Sequence, residues 1–178
     1  MNALGAYFSH GPLAGRFLYQ SWASLPPHAQ KAKRKTPEQV AAEYGLGLDE
    51  TGPIVAERLL DFFWRIAGRP QEAPAYWKRE RPLMIVLDNY SVHKSEIVQT
   101  ALPALEAADI YLVYLPSYCP QLSRIEPIWN DVKQHFLPTR SYQQVADLKR
   151  ATDEALQRKA QQLRQLHAKS TNDQRLAA

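Results

Sequence analysis

The alternation of apolar and polar positions divides the chain into short elements. Leu4–Ser9 (LGAYFS) and Arg16–Trp22 (RFLYQSW) are aromatic-rich segments separated by His10-Gly11-Pro12, a turn signal, and predict two antiparallel strands. Val55, Leu59, Phe62, Phe63 and Ile66 recur at helical spacing and predict a helix over about 54–67 with one apolar face. Leu83-Met84-Ile85-Val86-Leu87 is an unbroken apolar run ending in Asp88, and Ile110–Leu115 (IYLVYL) is a second. Runs this short and without alternation predict strands buried on both faces.

Between and after these segments the helix signals are punctuated. Thr36-Pro37-Glu38-Gln39 opens a helix, with Thr as N-cap, Pro at the first helical position and Gln reaching back, and Gly45 and Gly47 close it. A helix is expected from Ser95 to Ala108, with Pro103 kinking or dividing it. Another is expected from Ile125 to Phe136. Ser141-Tyr142-Gln143-Gln144 suggests a capping box for a last helix running to about Ala168. The order is β-β-(insertion)-α-β-α-β-α-α, in which the second half alternates strand and helix and so implies a parallel pair with helices packed on it. The insertion spans about 25–52.

Bulk composition narrows the class. At 178 residues and 45% hydrophobic, the chain suits one domain with a core and a small appendage. Thirteen prolines against seven glycines point to rigid loops. The lone Cys119 excludes an internal disulfide framework and fits a reducing cytoplasm. No segment has the roughly 18 apolar residues of a membrane span, and no signal peptide opens the chain. The net charge of +4 is mild, but its distribution is uneven. Lys31, Lys33, Arg34 and Lys35 crowd into five residues, and from Lys149 onward there are seven Lys/Arg against three Asp/Glu. Clustered cations are the footprint of a phosphate-backbone partner.

Two acids stand out. Asp88 ends a buried run and begins a polar turn, Asn89-Tyr90-Ser91. Strand ends of this kind collect ligands in open α/β sheets and mount a metal ligand on a rigid base; equally, Asp88 could cap the next turn. Glu126 opens the helix after the second run, where the helix dipole alone favours an acid. Trp129, Asn130 and Lys133 follow it at +3, +4 and +7 on one helical face.

The segments LDNYSVH at 87–93 and YLPSYCPQLSRIEPIWNDVK at 114–133 closely resemble the bacterial insertion-sequence transposases of the mariner superfamily. Thirty-seven residues lie between Asp88 and Glu126, within that family's usual range. NALGAYFSHGPLAGR resembles its second and third strands, so the likeness covers most of 1–137, with 138–178 as a helical extension. Ser123-Arg124 departs from the family's Asn-Pro before Ile-Glu.

The resemblance implies a ribonuclease-H-like mixed sheet flanked by helices and a DDE endonuclease that cuts and rejoins DNA. Asp88 and Glu126 would hold Mg²⁺ or Mn²⁺ in a two-metal centre, and Asn89, His93, Trp129 and Lys133 would neighbour it. His93 would orient a carboxylate or touch phosphate. Lys31, Lys33, Arg34, Lys35, Arg124 and Lys133 would contact DNA, namely transposon terminal repeats and target. The protein would be cytoplasmic and associated with a bacterial nucleoid. The family's first catalytic Asp lies on a strand preceding those matched here. Neither Asp49, in a Gly-flanked turn, nor Asp61, inside an amphipathic helix, replaces it. The expectation is a catalytic fragment, inactive alone, completed by an upstream segment or a full-length transposase. The alternative is a catalytically dead DNA-binding or regulatory remnant. A third reading, an unrelated α/β domain with two capping acids, predicts no response of stability to Mg²⁺ or Mn²⁺.

Overall fold

A computed structural model describes residues 1–24, 35–116 and 119–176. It divides into two compact units: Met1–Pro53 with Ile125–Ala178, and Ile54–Arg124.

In the first unit, strands β1 (Asn2–Tyr7) and β2 (Phe17–Trp22) form an antiparallel pair in register from Asn2↔Trp22 to Tyr7↔Phe17. The chain reverses through a turn in which Gly15, at φ +80°, donates its N–H to the Phe8 carbonyl. Helix α1 (Pro37–Tyr44) carries the full capping box expected of Thr36 and Gln39, and Gly45 closes it in the left-handed conformation. After α4 (Glu126–Asp131) comes a π-helical turn over Val132–Phe136, and α5 (Val145–Leu176) completes the unit. The core gathers Phe17 from β2, Ile128 and Val132 from the middle of the chain, and Ala155, Leu156 and Ala160 from α5. The small residues of α5 let its backbone approach the aromatic face of β2.

Two expectations fail in this unit. Residues 125–136 are not one regular helix: α4 ends at Asp131 and a π turn, with more residues per turn, runs over Val132–Phe136. The last helix begins at Val145 rather than at Ser141, because residues 138–142 are drawn into a loop. There Tyr142 donates its hydroxyl to the Pro138 carbonyl and stacks beneath Arg140.

In the second unit, α2 (Ala56–Ile66) precedes β3 (Leu83–Leu87), α3 (Glu96–Ala107) and β4 (Ile110–Tyr114). β3 and β4 pair in parallel, Leu83↔Ile110 through Leu87↔Tyr114. α2 buries Leu59, Phe62, Phe63 and Ile66 along the predicted stripe. Each such side chain contributes about 1.5–3 kcal/mol of burial. α3 runs unbroken through Pro103. Pro103 and Gln99, whose carbonyl it leaves without a helical donor, both lie on the exposed side of the helix, and no division results.

The strands are not buried on both faces. Ile85, Leu87 and Ile110 are buried, but Met84 is 70% and Val86 57% exposed, and Tyr111 and Val113 beside them are also open. An apolar run shows that a strand can be covered twice. Within this unit, helices cover it once. β3 pairs with β4 alone, which leaves its other edge without a ladder partner among the described strands.

Candidate active site

Asp88 follows the last residue of β3, and its side chain is 56% exposed. The turn beneath it is tied down at several points. The Leu115 N–H donates to the Leu87 carbonyl at 2.8 Å, extending the ladder one step past β4. Asn89 Nδ2 donates to the Leu115 carbonyl at 2.7 Å and bridges the ends of the two strands. The Tyr90 N–H donates to Asp88 Oδ1 at 3.0 Å, so the carboxylate does cap its own turn, as the simpler reading of the sequence allows. A 3₁₀ turn over Ser91–Lys94 then brings His93 back, with Nδ1 at 2.9 Å from Asp88 Oδ1 and 3.2 Å from the Asp88 carbonyl. The Tyr114 hydroxyl donates to the His93 carbonyl at 2.8 Å, and the Tyr90 ring meets the imidazole edge-on at 5.9 Å between centroids. Asp88, Asn89 and His93 are thus brought together. The sequence reading missed Tyr90, Tyr114 and Leu115. Only the strand register that sets Leu87 opposite Tyr114 reveals them.

Glu126 is the first residue of α4, in the other unit, and is exposed. Trp129 packs inward from the same helix. Its ring meets Phe17 edge-on at 5.5 Å and lies against Gly5 of β1. Asn130, Lys133 and Arg124 are exposed. Asp61 is exposed on α2, and Asp49 lies in the turn at 47–50, so neither ends a strand. No cluster of three or more His, Cys, Asp or Glu side chains able to hold a metal occurs among the described residues. The donors that are present are hard carboxylate oxygens on solvent-facing positions. These suit Mg²⁺ or Mn²⁺, which take one or two carboxylates and keep several waters.

The basic clusters fare differently from one another. Lys31, Lys33 and Arg34 lie outside the described residues. Lys35 is exposed and paired with Glu43. Much of the positive charge of α5 is used internally. Lys149 Nζ lies 3.0 Å from Glu50 and 2.8 Å from Asp153, whose other oxygen accepts from Ser21. Burial pushes the Lys149 ammonium down, but its hydrogen bonds to Asp153 and Glu50 outweigh this and hold it above its ordinary value. The Gly47 N–H, then Lys149, hold Glu50 below its own. Lys159, buried, pairs with Asp131 and faces the Phe136 ring. Arg158 donates to the Phe136 carbonyl, and Arg150 pairs with Asp147.

A family model described as DDE superfamily endonuclease matches residues 48–149, more than half of the chain. The chain belongs to this family. The matched span includes both Asp88 and Glu126, and the arrangement of small sheets flanked by helices is consistent with a ribonuclease-H-like DDE fold. Nothing matches among curated proteins or among solved structures. Family membership suggests transposase-type nuclease chemistry and implies a DNA substrate. None of the described helices is long and apolar enough to cross a membrane.

Proposed function

We propose that this chain is the catalytic part of an insertion-sequence transposase of the mariner type, and that Asp88 and Glu126 are its metal-holding carboxylates. The observation that carries this reading is the endonuclease match across 48–149, with Asp88 fixed at the end of β3. DDE enzymes generally use divalent metals, and bound cations of this kind stabilise the attacking and leaving oxygens of an in-line phosphoryl displacement. The chain's own residues bind and orient. Asp88 presents an exposed carboxylate from a turn braced by Asn89. Glu126 presents another from the first turn of α4. Arg124, Lys133 and the basic insertion at Lys31, Lys33, Arg34 and Lys35 supply cations for DNA phosphates. The chemistry is hydrolysis of a phosphodiester at a transposon end, followed by attack of the freed 3′-hydroxyl on target DNA.

The centre takes its remaining carboxylate from an upstream transposase segment or a full-length transposase, carried on a strand that pairs with β3. The edge of β3 that no described strand pairs with and the marginal stability of an isolated two-stranded sheet support this. A second reading is a regulatory remnant that binds DNA or intact transposase without cutting.

The test co-expresses the upstream segment and measures Mg²⁺-dependent nicking of terminal-repeat DNA. Loss of nicking in both Asp88→Asn and Glu126→Gln is expected. Nicking that survives both substitutions removes the catalytic assignment. DNA binding without nicking, together with inhibition of an intact transposase, favours the remnant.

A further inference from the structure

We propose that Lys94 contacts a DNA phosphate beside Asp88, from a place over the Tyr114 ring. This rests on the reading of the chain as a DNA-cutting protein with Asp88 in its site, and it adds a cation that positions the strand there.

Lys94 ends the 3₁₀ turn that follows Asp88. Its neighbour His93 approaches the Asp88 carbonyl through Nδ1 at 3.2 Å, so Lys94 leaves the chain one residue from a ring that rests on Asp88. The side chain of Lys94 is held, with Nζ 5.6 Å from the centroid of the Tyr114 ring. That ring is itself fixed. Tyr114 stands opposite Leu87 in the strand pair, its hydroxyl donates to the His93 carbonyl at 2.8 Å, and Gln99 Nε2 donates to the same hydroxyl oxygen at 3.4 Å.

The kind of partner separates Lys94 from other lysines of the chain. Lys35 meets Glu43, Lys78 meets Asp109, Lys149 meets Glu50 and Asp153, and Lys159 meets Asp131. Lys94 is exposed, and among the described residues no carboxylate pairs with it. A carboxylate neutralises an ammonium and takes up its N–H donors. An aromatic face attracts the charge without neutralising it, so the three donors stay available to an anion. A compact ammonium of this kind suits a phosphate.

The place of the charge matters as well. The Asp88 carboxylate repels a DNA strand, and a cation in the same turn offsets that repulsion. A single ammonium holds a free phosphate ion weakly. Along a strand each such contact adds to the others and releases a counterion, which makes binding fall with salt.

The experiment measures binding of the full chain to a short fluorescent DNA duplex by anisotropy, over a series of salt concentrations without divalent metal. In Lys94→Gln the slope of log affinity against log salt is expected to shrink by about 0.9, the loss of one phosphate contact. Lys94→Arg should keep the wild-type slope. Lys78→Gln removes the same charge at the other end of the strand pair, where Asp109 accepts from the Leu83 N–H, and should also keep it. An unchanged slope in Lys94→Gln overturns this inference. So does an equal loss in Lys78→Gln, which would mark a general effect of charge, or a loss in Lys94→Arg. A wild-type chain that binds no DNA overturns this inference and the DNA substrate of the proposed function together. The nicking test of Asp88→Asn and Glu126→Gln judges the catalytic assignment separately.

Discussion

Gly5 offers a sharp test of how the helix bearing Glu126 is seated. It lies in β1 opposite Tyr19, at a position with no unusual backbone angle. A Cβ built there would stand 2.6 Å from Trp129 Cζ2, 2.8 Å from Trp129 Cη2 and 2.8 Å from Phe17 Cε2. Carbon atoms prefer about 3.5–4.0 Å, so each contact is short by roughly 1 Å. Neither ring can yield cheaply, because Phe17 is 3% exposed and Trp129 already rests on it edge-on. Overpacking of this kind costs about 1–3 kcal/mol. Against it stands a backbone gain of about 0.5–1 kcal/mol for replacing glycine inside a strand. The steric term wins, and Gly5→Ala should lose about 0.5–2 kcal/mol. At about 2–4 °C per kcal/mol for a chain of this size, the melting temperature should fall by about 1–8 °C. Thermal and urea unfolding of Gly5→Ala, Trp129→Leu and the double variant provide the assay. Truncating Trp129 should cost less in the Gly5→Ala background than in wild type, with a coupling of about 0.5–3 kcal/mol. Equal stability of Gly5→Ala and wild type, or strict additivity, would refute the packing of Trp129 onto β1 and with it the seating of α4.

Three further outcomes follow from the packing and the ion pairs. Asp131→Ala leaves the ammonium of Lys159, which is 7% exposed, with Gln162 in place of a charged partner and should cost about 1–3 kcal/mol; Lys159→Met should cost less, because it leaves only a partly exposed carboxylate. Val86→Lys should change stability by less than about 0.5 kcal/mol, whereas Leu87→Ala, one residue on but buried, should cost about 2–5 kcal/mol, both measured by chemical denaturation. Glu50, held by the Gly47 N–H and then by Lys149, and Lys149, held by Asp153 and then by Glu50, set two limits on pH. Glu50 is held below its ordinary 4.5, so its contribution is present above that value and is lost as pH falls through the lowered one. Lys149 is held above its ordinary 10.5, so its contribution is full below that value and is lost as pH rises through the raised one. Melting temperature against pH should show a shallower acid limb in Glu50→Gln; an unchanged limb counts against the hold of the Gly47 N–H and Lys149 on Glu50.

Much of the architecture is legible in the chain itself. The order of strands and helices, the Thr36–Gln39 capping box, the stripe of α2 and the place of Asp88 at a strand end all depend on neighbours a few residues away. Over that range, propensity and periodicity act directly. Family membership was legible too, in the segments around Asp88 and Glu126. What the tertiary structure alone decided involves partners far apart in the chain. The pairing of Leu87 with Tyr114 lets Asn89 reach Leu115, 26 positions on. Asp153 meets Ser21 across 132 positions, and Lys159 meets Asp131 across 28. Basic residues that looked like a surface for phosphate were therefore partly consumed in holding α5 to its own unit. The faces of β3 and β4 were decided in the same way: an apolar side chain records that it can be buried, while the number of helices that cover it depends on what the rest of the fold brings to that face.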